Sequence, residues 1–507
     1  MKKQGGILLV KLIKNELVKI FSKKSFYIIL LVIFGLIIFQ SIDKDIFYFE
    51  DDSTELGKEI YSVGISMSGI NTSSYSGSLD FAKTQIKYDL LQNISDTYGA
   101  ESWQAYVILR NEEFKAFDIF YDYYLMQNLE EELKYFDFNL KDEDKISETQ
   151  KKQIVSDFEK LRKIFDSNDW REFATIHLSY LSKEKQNLEN MFSNYDKDIQ
   201  NQIHNIETNI EIVNIRLDKN IPFGYNFLND AISNYKYSKN AKYSIDISGE
   251  KNYETKKQYN QLLEIFERSK YIIENQEDIE NKDTSRYKLA STFEKSNQQL
   301  FIIAIIIYIS ANIVSEEIHT GTIKQLLTKQ NKRWEILFSK LVACFIIIVL
   351  SSIIIPIMVF LANILFNETE SLNIPMLIYN FNTNTLMEMS MVKYLIIQFL
   401  SKLPLFMIIM IIAFTFSTIF KNSIIAVLVP LFIYLAGEYF IELDSYNIST
   451  LKFLPTTNWE LTDVLFGKLH VFEGLTINFS IIICFIYFIL FSVIIFMYFN
   501  KADIKNQ

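Results

Sequence analysis

The chain has 507 residues, 49% of them hydrophobic, 15% aromatic and 22% charged, with a formal net charge of −10. That much apolar and aromatic content, with only 14 Gly and 6 Pro, excludes a disordered, collagenous or elastomeric polymer. The charge is unevenly placed: residues 41 to 298 hold 47 acidic and 32 basic side chains against 14 and 19 elsewhere, so an acidic insert interrupts an apolar, basic frame and no nucleic-acid partner is expected.

The first segment, residues 1–24, carries seven lysines between apolar residues at helical spacing. It reads as an amphipathic helix lying in the cytoplasmic membrane interface. The apolar run 25–40 follows without a cleavage-like site and is expected to stay as the first span, its N-terminus in the cytoplasm. A bilayer core of about 30 Å takes about 20 helical residues. Further spans are expected at 299–314, 341–366, 394–420, 423–440 and 475–499, with a cytoplasmic coupling loop at 315–340. In this arrangement the inner segments hold 15 basic and five acidic residues, as the positive-inside rule demands. Pro356, Pro404 and Pro430 fall inside three spans, where kinks are expected.

The fold class read from these patterns is all-α: a polytopic membrane protein of six transmembrane helices with a large helical, partly coiled-coil-like extracellular domain at 41–298. Within it, breaks are expected near Gly99, Lys141, Ser167, Pro222 and Ser248. Leu188, Phe192, Tyr195, Ile199, Ile203, Ile206, Ile210, Val213 and Leu217 make a seam with steps of three and four, which as one helix from Ser182 to Lys219 would span about 55 Å. Stripes at Phe114, Phe117, Phe120, Tyr121, Tyr124 and Leu125, and at Leu262, Leu263, Phe266, Tyr271 and Ile272, are read as the domain's own core rather than ligand surfaces. A last helix, Arg286 to Gln299, is expected to run unbroken into the second span.

Catalytic chemistry is not evident. The four histidines are scattered, and no His-Glu-x-x-His, Gly-x-x-x-x-Gly-Lys or Gly-x-Ser-x-Gly pattern occurs, so neither a metal site nor an enzyme is expected. The cysteines, Cys344 and Cys484, lie in apolar runs, which leaves the insert without disulfides or thiolate metal sites. Charge in hydrocarbon is costly, which singles out Lys402, Glu438 and Glu442 either as pathway groups or as structural charges, the glutamates wet at the span's outer end and the lysine snorkelling outward.

The most informative stretch follows the second span. Glu316, Glu317, Gly321, Thr322, Ile323, Leu326, Leu327, Thr328 and Arg333, with Lys340 opening the next span, form a Glu-x-x-x-Gly-Thr, Leu-Leu-Thr, basic pattern. It resembles the first cytoplasmic loop of ABC-2 type exporter permeases. The basic interfacial helix, the six spans and the ending Phe499-Asn500-Lys501-Ala502-Asp503-Ile504 are similar to that family as well. Lys329 and Gln330 stand where many members carry a proline, and the insert is larger than in compact exporters.

The resemblance implies a permease subunit of an ATP-binding cassette exporter. Its partners would be cytoplasmic P-loop ATPase subunits, a second permease chain in a homo- or heterodimer, and the lipid bilayer. Its substrate would be hydrophobic or amphipathic: a peptide, antimicrobial, lipid-like compound or ion. There is then no cofactor in this chain, ATP and Mg belonging to the partner ATPase. A helix at Thr322 to Thr328 would present Ile323, Leu326 and Leu327 to an ATPase groove. An alternative is a membrane-anchored sensor or scaffold whose insert binds an extracellular peptide or protein. Composition rich in Ile, Lys and Asn suits the cell membrane of a Gram-positive bacterium, with both termini cytoplasmic.

Overall fold

The computed structural model describes residues 2–41, 54–110, 115–191, 197–249, 252–279, 285–293, 297–327, 332–366, 373–442, 449–468 and 475–501. The chain divides into two compact units, one made of Met1–Tyr48 with Ile279–Gln507 and one of Phe49–Asp278.

The first unit opens with α1 (Lys2–Ser22) and α2 (Lys24–Ser41). Between them the Lys23 amide reaches only to the Ile20 carbonyl, a single tight turn. Leu12, Glu16 and Ile20 are the buried stripe of α1, one side chain per turn.

The second unit has no strand among its described residues, and its α-helices are α3 (Glu55–Ser68), α4 (Tyr75–Tyr98), α5 (Trp103–Arg110), α6 (Ala116–Tyr135), α7 (Glu148–Ser167), α8 (Trp170–Met191), α9 (Lys197–Lys219), α10 (Phe227–Ser248) and α11 (Tyr253–Asn275). The starts are encoded locally. Thr54, Ser74, Asn226 and Asn252 each accept an amide hydrogen bond as N-caps, and Ser147 with Gln150 forms a reciprocal capping box, which satisfies donors the helix itself leaves open. The ends of α4, α7, α9 and α10 coincide with the sequence-predicted breaks near Gly99, Ser167, Pro222 and Ser248.

The expected single helix from Ser182 to Lys219 is not formed. Its residues are divided between α8 and α9, which pack antiparallel: Arg171 at the start of α8 bonds Asn220 just past the end of α9, and Lys185 pairs with Glu207 at 2.7 Å. The physical reason is the seam. Leu188, Ile206, Ile210, Val213 and Leu217 join one apolar core with Phe120, Phe158, Phe165 and Phe173, and a chain that folds back covers its own apolar face without a partner. Phe117, Phe120, Tyr121, Tyr124 and Leu125 of the first stripe and Phe266 and Ile272 of the second are core as well, and Leu262 is buried; Phe114, Phe192 and Tyr195 lie outside the described residues.

The first unit resumes with α12 (Ser285–Ala290), α13 (Asn297–His319), α14 (Thr322–Leu327) and α15 (Arg333–Phe366). The expected unbroken helix from Arg286 to Gln299 is corrected here, because a 3-10 turn at Ser291–Phe293 intervenes. Ser291 and Thr292 donate their hydroxyls to the Lys288 and Leu289 carbonyls, a local alternative to the α-helical ladder. A hairpin then departs from the all-helical expectation: β1 (Met376–Asn380) pairs antiparallel with β2 (Thr385–Met389), Met376 opposite Met389 and Asn380 opposite Thr385. The remaining helices are α16 (Met391–Phe420), α17 (Ser423–Glu442), α18 (Pro455–Asn458), α19 (Leu461–Leu465) and α20 (Ile477–Lys501).

Among the described residues, five helices are long and apolar enough to cross a membrane: Lys24–Ser41, Gln298–His319, Arg333–Phe366, Met391–Phe420 and Ile477–Lys501. The remaining expected span falls on α17, whose apolar stretch Ser423–Gly437 is shorter. Pro356, Pro404 and Pro430 lie inside α15, α16 and α17. Ile302, Ile306, Ile348, Ile355, Leu405 and Ile409 fill the centre of this unit, while α20 exposes Ile482, Phe485, Ile486 and Leu490. Polar ties stitch α13 to its neighbours: the Ser315 amide donates to Ser417 Oγ at 3.1 Å, and the Ser315 and Ser423 hydroxyls meet at 2.7 Å.

Candidate functional site

Glu16 is the anomaly in α1, a carboxylate only 3% exposed in the middle of an apolar stripe. A lone buried carboxylate would be costly, and its compensation comes from α15. Lys340, 1% exposed, places Nζ 2.7 Å from Glu16 Oε2 and 3.2 Å from the Ile313 carbonyl. It also lies 2.8 Å from Glu317 Oε2, an ionic contact without hydrogen-bond alignment. Lys19, one turn along α1, is 3.1 Å from Glu16 Oε1 and donates to Glu317 Oε1 at 2.6 Å.

The four groups therefore close a ring, Glu16 to Lys340 to Glu317 to Lys19 and back, two positive and two negative. Burial disfavours the Lys19 ammonium, but the Glu317 hydrogen bond and the Glu16 charge outweigh it and hold its pKa above the ordinary lysine value. Lys23 pairs with Glu316 beside the ring. A cavity of about 320 Å³ opens next to these charges, bordered by Lys19, Lys23, Phe26, Tyr308, Asn312 and Glu316.

Beyond Glu317 the helix stops because Gly321 takes φ +70°, its amide bonded to the Ile318 carbonyl at 3.2 Å. This left-handed position suits glycine and ends α13. The Thr320 and Thr322 hydroxyls meet at 3.0 Å across the turn, and α14 begins at once. The expected set of exposed apolar contacts on α14 needs correction. Ile323 is 1% exposed and belongs to the core of the membrane unit, because the turn at Gly321 folds α14 back onto α13. Leu326 is partly exposed. The Leu327 side chain and Thr328 lie outside the described residues. Arg333, at the start of α15, reaches the Asn500 carbonyl at 3.1 Å and so anchors the end of α20.

Lys402 does not snorkel outward. It is 2% exposed and pairs with Glu460 at 2.5 Å, beside a polar chain in which Ser401 meets Thr462 at 2.7 Å and Gln398 donates to Tyr394 Oη at 2.9 Å. Hydrocarbon contact favours a neutral pair over a lone ammonium. Glu438 and Glu442 are on α17, their side chains outside the described residues.

The sequence pattern singles out Glu317, Lys340 and Lys402, places Lys19 only among the lysines of the interfacial helix, and does not single out Glu16 or Glu460. A sequence signal for Glu16 was present: it is the one acid in residues 1–24, and it falls on the apolar stripe. No group of three or more metal-ligating side chains occurs among the described residues.

Residues 260–505, just under half of the chain, match a family model described as "Protein of unknown function (DUF2705)". The chain is similar to the "Uncharacterized protein YhcI" of Bacillus subtilis (strain 168), 29% identical over 200 residues that cover 39% of this chain and 64% of that relative. The chain thus spans under two thirds of the length of the curated relative it matches. No solved structure matches.

Proposed function

We propose that this chain is the permease subunit of an ATP-driven exporter, working with separate cytoplasmic ATPases and a second permease chain, with its helical insert on the outer side of the membrane. The observation that carries the reading is the closed ring of Glu16, Lys340, Glu317 and Lys19 directly preceding the Gly321 turn. It welds the interfacial helix, the end of α13 and the start of α15 into one rigid corner. A push on α14 is then transmitted to three helices together rather than dissipated in a loose loop. In this reading the rigid corner gives the motion, and the substrate is a hydrophobic or amphipathic molecule released as the helices repack.

The test is purification of the full chain from its native membrane in mild detergent, with identification of co-purifying proteins and ATP hydrolysis measured on the same sample. A stoichiometric P-loop ATPase is expected. Gly321→Pro and Leu326→Asp should abolish its association or its coupled turnover while leaving membrane insertion intact, and undiminished coupling in both variants would overturn the assignment.

A further inference from the structure

α9 and α10 pack antiparallel, with Asn201 near the start of one bonded to Ser244 near the end of the other at 3.2 Å. Where the chain turns from one to the other, Ile212, Ile221, Ala231 and Ile232 meet in an apolar core, as two helices in water normally do. Beside and beyond that core the lining is polar instead: Asn205 and Asn209 on α9, and Ser233, Asn234, Tyr237 and Asn240 on α10. With the end of α5 and the middle of α8 they border a cavity of about 570 Å³, within the range of about 300–1,000 Å³ usual for small-ligand sites.

None of these polar side chains has a hydrogen-bond partner among the described residues. Asn205, Asn234 and Tyr237 are exposed and meet water. Asn240 Oδ1 is buried, and an acceptor shut off from water without a donor carries a cost that a ligand hydroxyl removes. The charged residues of the lining are already engaged: Arg216 donates to Asn229 Oδ1 at 2.6 Å, Arg110 lies over the Tyr106 ring at 5.6 Å, and Lys236 interacts within the chain. His177 is kept neutral, its pKa down at about 4 through burial first and then the charges of Lys236 and Arg216. What the cavity leaves open is therefore a set of neutral groups that both donate and accept.

We propose that this cavity binds a neutral pyranose sugar, its hydroxyls paired with Asn205, Asn209 and Asn240 and its apolar C–H face against the Tyr237 ring. A hydroxyl donates and accepts, and so does a carboxamide, so the two match without any charge on the ligand. A peptide can pair with carboxamides too, but its amides come once per residue, up to about 3.6 Å apart along the chain, with side chains between them. A pyranose carries a hydroxyl on most of its ring carbons and meets a dense polar lining within one small molecule. The apolar part of the cavity suits its other face: Ile212, Val213 and Ile232, none more than 4% exposed, line the inner side, and Tyr237, 63% exposed, stands at the mouth. Such binding is a property of the insert whatever the membrane unit does.

The experiment is saturation-transfer difference NMR on the full chain in lipid nanodiscs, titrated with glucose, with N-acetylglucosamine and with the capped dipeptide acetyl-Ala-Ala amide, inorganic phosphate being added as a competitor. One of the two sugars should bind saturably at millimolar concentration, at least about tenfold tighter than the dipeptide, undisplaced by phosphate and no more weakly as salt rises. Asn240→Leu should weaken that sugar at least about tenfold, with helical circular dichroism unchanged. The milder pair Asn205→Ala with Asn209→Ala, on the wetter side of the cavity, should weaken it in the same direction. No saturation by either sugar, a dipeptide that binds as tightly, displacement of the sugar by phosphate, or full affinity in either folded variant would each overturn the proposal.

Discussion

Lys340 and Glu16 stand 324 positions apart in the chain and form a 2.7 Å ion pair in which neither side chain is more than 4% exposed. Each offsets much of the cost of burying the other, with Lys19 and Glu317 completing the ring: the lysine sits at the start of a long apolar helix, the glutamate within an apolar stripe. Removing one partner of such a pair leaves an uncompensated charge, a loss of about 3–5 kcal/mol. Lys340→Met is therefore expected to lower the unfolding midpoint in detergent sharply. Adding Glu16→Met to it should recover most of the loss, because Lys19 and Glu317 remain as a balanced pair at 2.6 Å. If the two losses simply add, the residues are not energetically coupled and the ring has no stabilising role.

Gly321 makes a second, sharper prediction. Its φ of +70° with no atom within 4 Å of a built Cβ means that an alanine there meets strain but no clash. Gly321→Ala should cost about 1 kcal/mol, and Gly321→Asn less, since Asn tolerates the left-handed region. Gly321→Pro loses the amide bond to Ile318 and cannot reach positive φ, so it should displace α14 outright. Proteolysis of the turn, compared across the three variants, reads this order directly; a proline variant as resistant as the wild type would contradict it.

These two positions also show what a sequence discloses. The helices were legible because long, charge-poor apolar runs, or a cap followed by an apolar period, are local signals, as at Ser147 with Gln150. Gly321 was legible as a residue of the loop between two spans, though not as the position that ends α13 at positive φ. Ile323 was misread because the pattern says that a residue is apolar, not whether it faces a partner or its own core. Glu16 stands out in the sequence as the one acid of residues 1–24, but its partner does not, because periodicity along α1 carries no information about Lys340 on α15. The β1–β2 hairpin was missed among apolar helical runs, although alternation in Thr385 to Met389 and the Asn-rich turn before it were its signature.

The pH dependence of the insert rests on His177, 2% exposed and with its pKa down at about 4 from an ordinary 6.5. Burial is the main cause, and the like charges of Lys236 and Arg216 add to it. The folded state keeps the imidazole neutral, so the unfolded state binds more protons between pH 6.5 and 4. Stability is full above pH 6.5 and falls as the pH drops toward 4, by up to about 3 kcal/mol in total. Urea unfolding at pH 7 and pH 4.5 should show that fall for the insert's transition, and His177→Phe should flatten it. A slope identical in the two proteins would remove His177 as its origin.

The hairpin offers the last test, because its contact with the end of α19 is crowded. The Phe381 amide donates to the Phe466 carbonyl at 2.8 Å, and Asn382 Nδ2 reaches the Leu465 carbonyl at 3.3 Å. The next residue, Gly467, has φ +70°, and a Cβ built there would lie 2.5 Å from Asn382 Oδ1 and 2.9 Å from the Asn382 backbone nitrogen. The side-chain oxygen can rotate away, but the backbone nitrogen cannot. Gly467→Ala should therefore combine left-handed strain with a clash and cost about 2 kcal/mol or more, loosening the hairpin from α19. Asn382→Gly removes the side-chain clash alone and should recover only part of the loss. Hydrogen exchange at the Phe381 amide reports the docking itself: faster exchange in Gly467→Ala than in wild type is expected, and unchanged protection there would mean that α19 moves with the hairpin.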